Sequence, residues 1–313
     1  MKFRSAVFAV VAVLLMGGTA PALEGMSKQE FLAQYEPAAE RLQRFYEHIT
    51  LEAVVTRSNL EHKNSRIARQ RLVLRTDGDK MRIDGFVPDG TGGESVRVAV
   101  TSPGSSFTLR RQADQESFVL SHLSSDSTQD MRSLRSRHYY LFAPFCESAG
   151  VILADKIRPR NFRIISIEEE ERNGEQLVKV AYERDVHFKG KPLTYAGYDV
   201  FSKTMGWALR EFARGRQRGI IEYDGMIDGV PLLKTAEYWR QKGDERVNIL
   251  RCEVTKIEPY AAPPDTFEFA ALVGDVRQEG KSSYWLLLIA GGVVLIAIAV
   301  VLARFAAHRR AAA

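Results

Sequence analysis

The sequence predicts a mainly β, α+β fold: one strongly curved antiparallel sheet, an unclosed β-barrel with covering helices, followed by a single C-terminal transmembrane helix. Three observations carry this reading. Apolar residues alternate with a period of two over most of the chain from Leu51 onward, turn residues separate the alternating runs at short intervals, and 19 consecutive uncharged residues run from Trp285 to Ala303.

The first element is helical. Ser27 with Glu30 three positions on forms a capping box, and Phe31, Leu32, Tyr35, Leu42 and Phe45 recur at helical spacing up to His48. Pro37 lies within that run and breaks it into two helices or kinks it. From Leu51 the period becomes two: Leu51, Ala53, Val55; Leu72, Leu74; Met81, Ile83; Val96, Val98, Val100; Phe107, Leu109; Phe118, Leu120. The separators are Asp77-Gly78-Asp79, Pro88-Asp89-Gly90, Ser102-Pro103-Gly104 and Ala113-Asp114, and short strands joined by tight turns make an antiparallel meander.

A helix is expected over Thr128 to Phe142, its apolar side formed by Met131, Leu134, His138 and Leu141, with a further apolar segment after Pro144 through Leu153. Strand periodicity resumes over Phe162–Ile167, Leu177–Val186, Tyr195–Phe201, Trp207–Phe212, Ile220–Met226, Leu232–Trp239 and Val247–Ile257. Asn173-Gly174 is the strongest hairpin signal, and the acids Glu168 to Glu171 just before it fit a solvated sheet edge that discourages strand addition. Pro263-Pro264-Asp265 closes the domain.

The two ends set the topology. Lys2 and Arg4, the apolar run Ala6 to Met16 and the A-x-A site Ala20-Pro21-Ala22 have the layout of a cleavable secretory signal, residues 1–22. The uncharged run near the C-terminus spans about 28 Å as a helix, close to a bilayer's hydrocarbon thickness. It is flanked by Tyr284 and Trp285 on one side and by Arg304, His308, Arg309 and Arg310 on the other. The expected order is therefore an exported domain (23–275), a linker (276–283), a transmembrane helix (284–304) and a basic cytoplasmic tail (305–313). The expectation is a single-pass protein of the cell membrane whose N-terminal domain is periplasmic or extracellular.

The net charge of +5 resides in Lys2, Arg4, Arg304, Arg309 and Arg310, which leaves 39 basic and 39 acidic residues for the remainder. A neutral exported domain offers no basis for nucleic-acid binding. Cys146 and Cys252 are the only cysteines, and export makes a disulfide between them chemically open. Two buried thiols is the other reading, and the sequence leaves both standing.

The order of these elements resembles a known family. The opening helix "SKQEFLAQYEPAAERLQRFYEHI", the strand "ITLEAVVTRSN", the hairpin around "GDKMRID", the "TSPG" turn and the final "PPDTFEF" are similar to the lipoprotein-carrier proteins LolA and LolB and to the periplasmic sensor domain of RseB. The resemblance covers roughly residues 28 to 270. It implies an unclosed β-barrel whose apolar cavity, on the concave face of the sheet, takes a lipid, an acyl chain or a lipoprotein. A protein helix at the C-terminus departs from that family's mobile and lipid-held members and makes this chain a fixed version of the design. On this reading Phe107, Leu109, Phe118, Trp207, Tyr223 and Trp239 are the candidates to line the cavity, the other reading of the same apolar stripe being plain core.

Motifs of chemistry are absent from the sequence. No G-x-S-x-G elbow occurs, Gly90-Thr91-Gly92-Gly93 lacks the following Lys-Ser/Thr of a phosphate loop, and the six histidines form no H-x-x-H, H-x-H or H-E-x-x-H pair. The expectation is a non-enzymatic protein with no catalytic residue, metal or cofactor. Arg214, Arg216 and Arg218 in "REFARGRQRG" are candidate contacts for anionic headgroups at the membrane surface, the alternative being a solvated hairpin tip. Arg132, Arg135 and Arg137 with Tyr139 and Tyr140 admit the same two readings. The alternative function is an envelope protein-interaction or sensing scaffold with a filled core and no ligand.

Overall fold

The computed structural model describes residues 26–58, 67–90, 92–146, 153–157, 161–188, 191–259, 262–272 and 277–278. The signal segment 1–22, the transmembrane run 284–304 and the basic tail lie outside the described residues, and among the described residues no helix is long and apolar enough to cross a membrane.

Helix α1 (Lys28–Tyr46) opens the domain, and its capping box is complete: the Glu30 amide donates to Ser27 Oγ and the Ser27 amide to the Glu30 carboxylate. The helix continues through Pro37 without dividing. Pro37 and Ala33, four residues earlier, both lie on the exposed face, so the carbonyl that loses its amide partner there faces water.

The sheet follows as two meanders. The first comprises β1 (Ile49–Ser58), β2 (Ala68–Asp77), β3 (Lys80–Pro88), β4 (Glu94–Ser102), β5 (Ser105–Arg111) and β6 (Val119–Ser124). The second comprises β7 (Phe162–Arg172), β8 (Glu175–Phe188), β9 (Lys191–Ser202), β10 (Ala208–Arg214), β11 (Gln217–Ile227), β12 (Val230–Lys242) and β13 (Glu245–Pro259). Within each meander every strand pairs antiparallel with its sequence neighbour, and β1 pairs antiparallel with β13 to join the two. A two-residue β14 (Arg277–Gln278) adds a parallel pairing to β6, so the sheet runs from β14 to β7 and does not close.

Turn chemistry sets these registers. Asn173 and Gly174 both have positive φ, 55° and 78°, and join β7 to β8 through the Arg172–Glu175 pair. Asp228 and Gly229 repeat that geometry between β11 and β12, with φ of 51° and 74°. The acids Glu168 to Glu171 lie on β7, which is an edge strand, where they place charge along the unpaired side. Trp207, expected as the first residue of a strand, instead takes a left-handed φ of 64° in the turn before β10.

The middle segment is shorter in its helix than the sequence predicts. Helix α2 (Ser127–Arg137) ends at His138, and Tyr139–Phe142 continue as a 3-10 turn. Tyr140, Leu141 and Phe142 are all buried, and the tighter turn sends three consecutive bulky side chains into the core. A short α3 (Leu153–Ile157) follows.

Both faces of the sheet are covered, by different elements. The main core joins α1, the 3-10 turn and α3 to β1–β3 and β7–β13. Phe31 and Tyr35 stack at 5.2 Å and meet Phe201 and Trp207, while Tyr46 Oη donates to the Pro231 carbonyl and accepts the Leu233 amide, both at 3.0 Å. On the other face of β4–β6, a smaller core gathers Val96, Val98, Val100, Phe107 and Leu109 under the C-terminal segment that carries Ala262, Phe267 and helix α4 (Phe269–Leu272). Arg82 ties that segment down by donating to the Thr266 carbonyl at 3.1 Å.

Candidate functional site

Cross-strand pairing decides which side chains share a face. Directly opposite residues point the same way, so Val98–Leu109 and Val100–Phe107 form one face of β4–β5, and Arg97–Arg110, Ala99–Thr108 and Thr101–Ser106 form the other. The apolar face packs against the C-terminal segment. The polar face lies beneath α2, held there by Thr101 Oγ1 donating to the Ser127 carbonyl at 3.2 Å and by the Ser106 hydroxyl donating to Asp130.

Between α2 and this polar face is an open cleft of about 850 Å³, within the range of small-ligand sites. Ile83, Ala99 and Leu134 supply apolar wall; Thr101, Ser106, Thr108 and Ser133 supply hydroxyls. Arg57 from β1, Arg97 from β4, Arg110 and Arg111 from β5 and Arg137 from α2 also line it, and among the described residues Asp130 is its one carboxylate. The lining is thus mixed and basic, where an apolar cavity is the sequence expectation. Over β8–β12 the same side of the sheet is occupied by α1, the 3-10 turn and α3.

His138 lies half-buried at the junction of α2 and the cleft, its Nδ1 2.9 Å from Tyr140 Oη. Burial first, and then the charges of Arg57, Arg97 and Arg137, lower its pKa from 6.5 to about 4. The folded state therefore keeps His138 neutral, while the unfolded chain takes up a proton near pH 6.5. Stability is expected to fall as pH drops from about 6.5 to about 4, and His138→Asn to make that decline shallower. Urea midpoints at pH 7.0 and 4.5 check this; an equal decline in both proteins would contradict it. Arg97 is shifted in the same sense, below the usual guanidinium range, by partial desolvation and by the charges of Arg137 and Arg110.

The sequence-derived candidates fall in several places. Phe107 is buried and borders the cleft, with its ring edge-on to Phe269 at 5.1 Å in the smaller core; Leu109 and Phe118 belong to that same core. Trp207 lies in the main core, edge-on to Phe31 at 5.8 Å, and Tyr223 packs against that core with its hydroxyl donating to the Leu209 carbonyl at 2.5 Å. Trp239 lies under the Arg246 guanidinium at 4.2 Å and donates its indole N–H to Gln241. Arg214, Arg216 and Arg218 stand at the tip of the β10–β11 hairpin, where Arg214 donates to Gln217 Oε1 and Arg218 to the Gly215 and Gln217 carbonyls. Cys146 and Cys252 are buried thiols of the main core beside Tyr238, and burial pushes the Cys252 thiol up to about 12, which suppresses its thiolate.

Arg57, Arg97 and Arg110 are residues that the sequence reasoning missed. Their signal is the phase opposite to the apolar one: Arg97-x-Ala99-x-Thr101 and Ser106-x-Thr108-x-Arg110 alternate with Val96-x-Val98-x-Val100 and Phe107-x-Leu109. A polar phase ordinarily faces bulk water, but with the apolar phase covered by the C-terminal segment it faces the cleft instead.

No protein-family model and no curated protein matches the sequence. Solved structures similar to this one include a LolA superfamily protein from Nitrosomonas europaea, with 9% identity and a TM-score of 0.40 over 76% of this chain and 99% of that one. A Vibrio parahaemolyticus domain assigned to outer membrane lipoprotein sorting is similar at 11% identity and a TM-score of 0.43, over 75% of this chain and 97% of that one. A DUF1329 family protein from Desulfovibrio piger is similar at 13% identity and a TM-score of 0.40, over 77% and 98%. The superfamily that the sequence resembles is thus among those represented.

Proposed function

We propose that this chain is a non-enzymatic binding module, an exported domain (23–275) that takes a lipid, an acyl chain or a lipoprotein and is held at the membrane by the helix 284–304. The observation that carries this reading is the cleft between α2 and β3–β6. One half of the helix-covered side is packed solid, and the other half is left open at a volume that suits a small amphiphile. Ile83, Ala99 and Leu134 would receive the chain, and the polar residues around them the head. The hairpin arginines Arg214, Arg216 and Arg218 are placed at an exposed tip from which they could meet anionic headgroups.

Native mass spectrometry of the full purified chain, paired with solvent extraction, tests the reading. About one amphiphile per chain is expected; a chain that carries none and accepts none from vesicles would remove it.

A second reading is favoured by the filled half of the sheet. There the covering helices leave a solid core, as an envelope interaction or sensing scaffold requires. It predicts a stoichiometric protein partner and no lipid after crosslinking and purification.

A further inference from the structure

We propose that Arg57, Arg97, Arg110 and Arg137 form a binding site for an oxyanion group, a phosphate or carboxylate, carried at the head of the ligand in the cleft. The amphiphile part of this statement rests on the function proposed above; the anion site rests on the arginines themselves.

Four elements converge here. Arg57 comes from β1, Arg97 from β4, Arg110 from β5 and Arg137 from α2, and all four line one cleft and remain open to solvent. Elsewhere in the domain several exposed arginines are matched with acids: Arg163 with Glu183 and Asp185, Arg172 with Glu170 and Glu211, Arg246 with Glu237, Arg251 with Glu253. That matching is what equal numbers of acids and bases allow. The cleft departs from it: among the described residues Arg57, Arg97 and Arg137 are matched with no acid, and the one described carboxylate in the lining, Asp130, is engaged by Ser106 and by His122 at 3.5 Å.

Arg97 is central. Among the described residues it has no ion pair or hydrogen bond, and Arg137 and Arg110 are near enough to repel it. Arg137 donates only to Ser133 Oγ at 3.0 Å, and Arg57 reaches Tyr140 Oη at 3.4 Å, so each retains unused N–H donors. Gathering like charges is unfavourable unless something negative joins them. A guanidinium presents a planar fork that matches the oxygens of a phosphate or carboxylate, and several forks around one cleft define a place for such a group. Thr101, Ser106, Thr108 and Ser133 stand around the same space with hydroxyl donors.

Equilibrium dialysis of the full chain, held in digitonin, separates the sources of the anion. The probes are monododecyl phosphate, inorganic phosphate and the uncharged monolaurin; the variants are Arg97→Gln, Arg97→Lys and Arg97→Gln with Arg137→Gln. The expected result is that Arg97→Gln weakens monododecyl phosphate by about tenfold or more, the double variant weakens it further, and Arg97→Lys falls between. Monolaurin binding is expected to be weak and unchanged. Because Arg97 makes no ion pair among the described residues, the ligand-free Tm of Arg97→Gln is expected to be equal or higher; a fall in Tm would mark a structural role and count against the site.

Inorganic phosphate bound and weakened by Arg97→Gln, with neither amphiphile bound, would keep the anion site and remove the lipid reading. Both amphiphiles bound equally and untouched by the variants would overturn the anion site and leave the lipid reading standing. No binding of any probe would overturn both.

Discussion

Lys156→Met is expected to destabilise the domain by about 3–5 kcal/mol, the cost of leaving a buried carboxylate without its cation. Lys156 and Asp199 are each about 1% exposed, and Nζ lies 2.9 Å from Oδ2. The ammonium also sits 3.9 Å from the centre of the Tyr182 ring, so one side chain pins α3 onto β8 and β9. Paired replacement by apolar residues removes both charges at once, and Lys156→Met with Asp199→Leu is expected to recover most of the loss. Urea titrations of the three proteins measure this. A single variant within 1 kcal/mol of the parent, on the scale where surface pairs fall, would show that the pair does not hold α3 in place.

Phe31→Ala is expected to cost about 3–5 kcal/mol, the range for removing a large aromatic from a close-packed core. Phe31 is fully buried and meets three rings, Tyr35, Phe201 and Trp207, within 5.8 Å. Its loss opens a void where α1 meets the turn carrying Trp207, leaving Tyr35, edge-on to the same indole at 6.4 Å, as the neighbouring contact. Leu32→Ala, one position along and only partly buried, serves as the control and is expected to cost about 1 kcal/mol or less. Equal losses at the two positions would mean that the aromatic cluster is not what docks the helix.

Much of this fold is legible in the sequence because its determinants are local. The capping box at Ser27 and Glu30, the period-two runs from Leu51 and the hairpin at Asn173-Gly174 each act within a few residues, and each is found where the sequence places it. Pro37 misleads because its effect depends on exposure, which only the docked helix defines. The 3-10 turn at Tyr139–Phe142 misleads for a related reason, since burial of three adjacent side chains overrides the helical spacing before it.

The candidate site is less legible, and the cause is specific. Periodicity says that Val98 and Arg97 face opposite ways; it does not say which of the two faces is roofed by a helix and which by the chain's C-terminal segment. Phe107 and Leu109 share one phase, yet Leu109 is confined to the smaller core while Phe107, packed against Phe269 there, also borders the cleft; Arg97 and Arg110 look like solvent-facing residues while they line the cleft. One roof, Ser127–Arg137, follows β6 directly, but the other, Ala262–Leu272, comes from the far end of the domain, and no short-range pattern says which face each one takes.

The central claim is that the ligand enters the cleft between α2 and β3–β6, and photolabelling tests it most directly. A dodecyl chain carrying a terminal diazirine, allowed to load onto the full chain and irradiated, is expected to mark peptides from Ser95–Arg111 and Ser127–His138. Labelling confined to the β10–β11 hairpin or to the β7 edge, with those two peptides unmarked, would contradict the account.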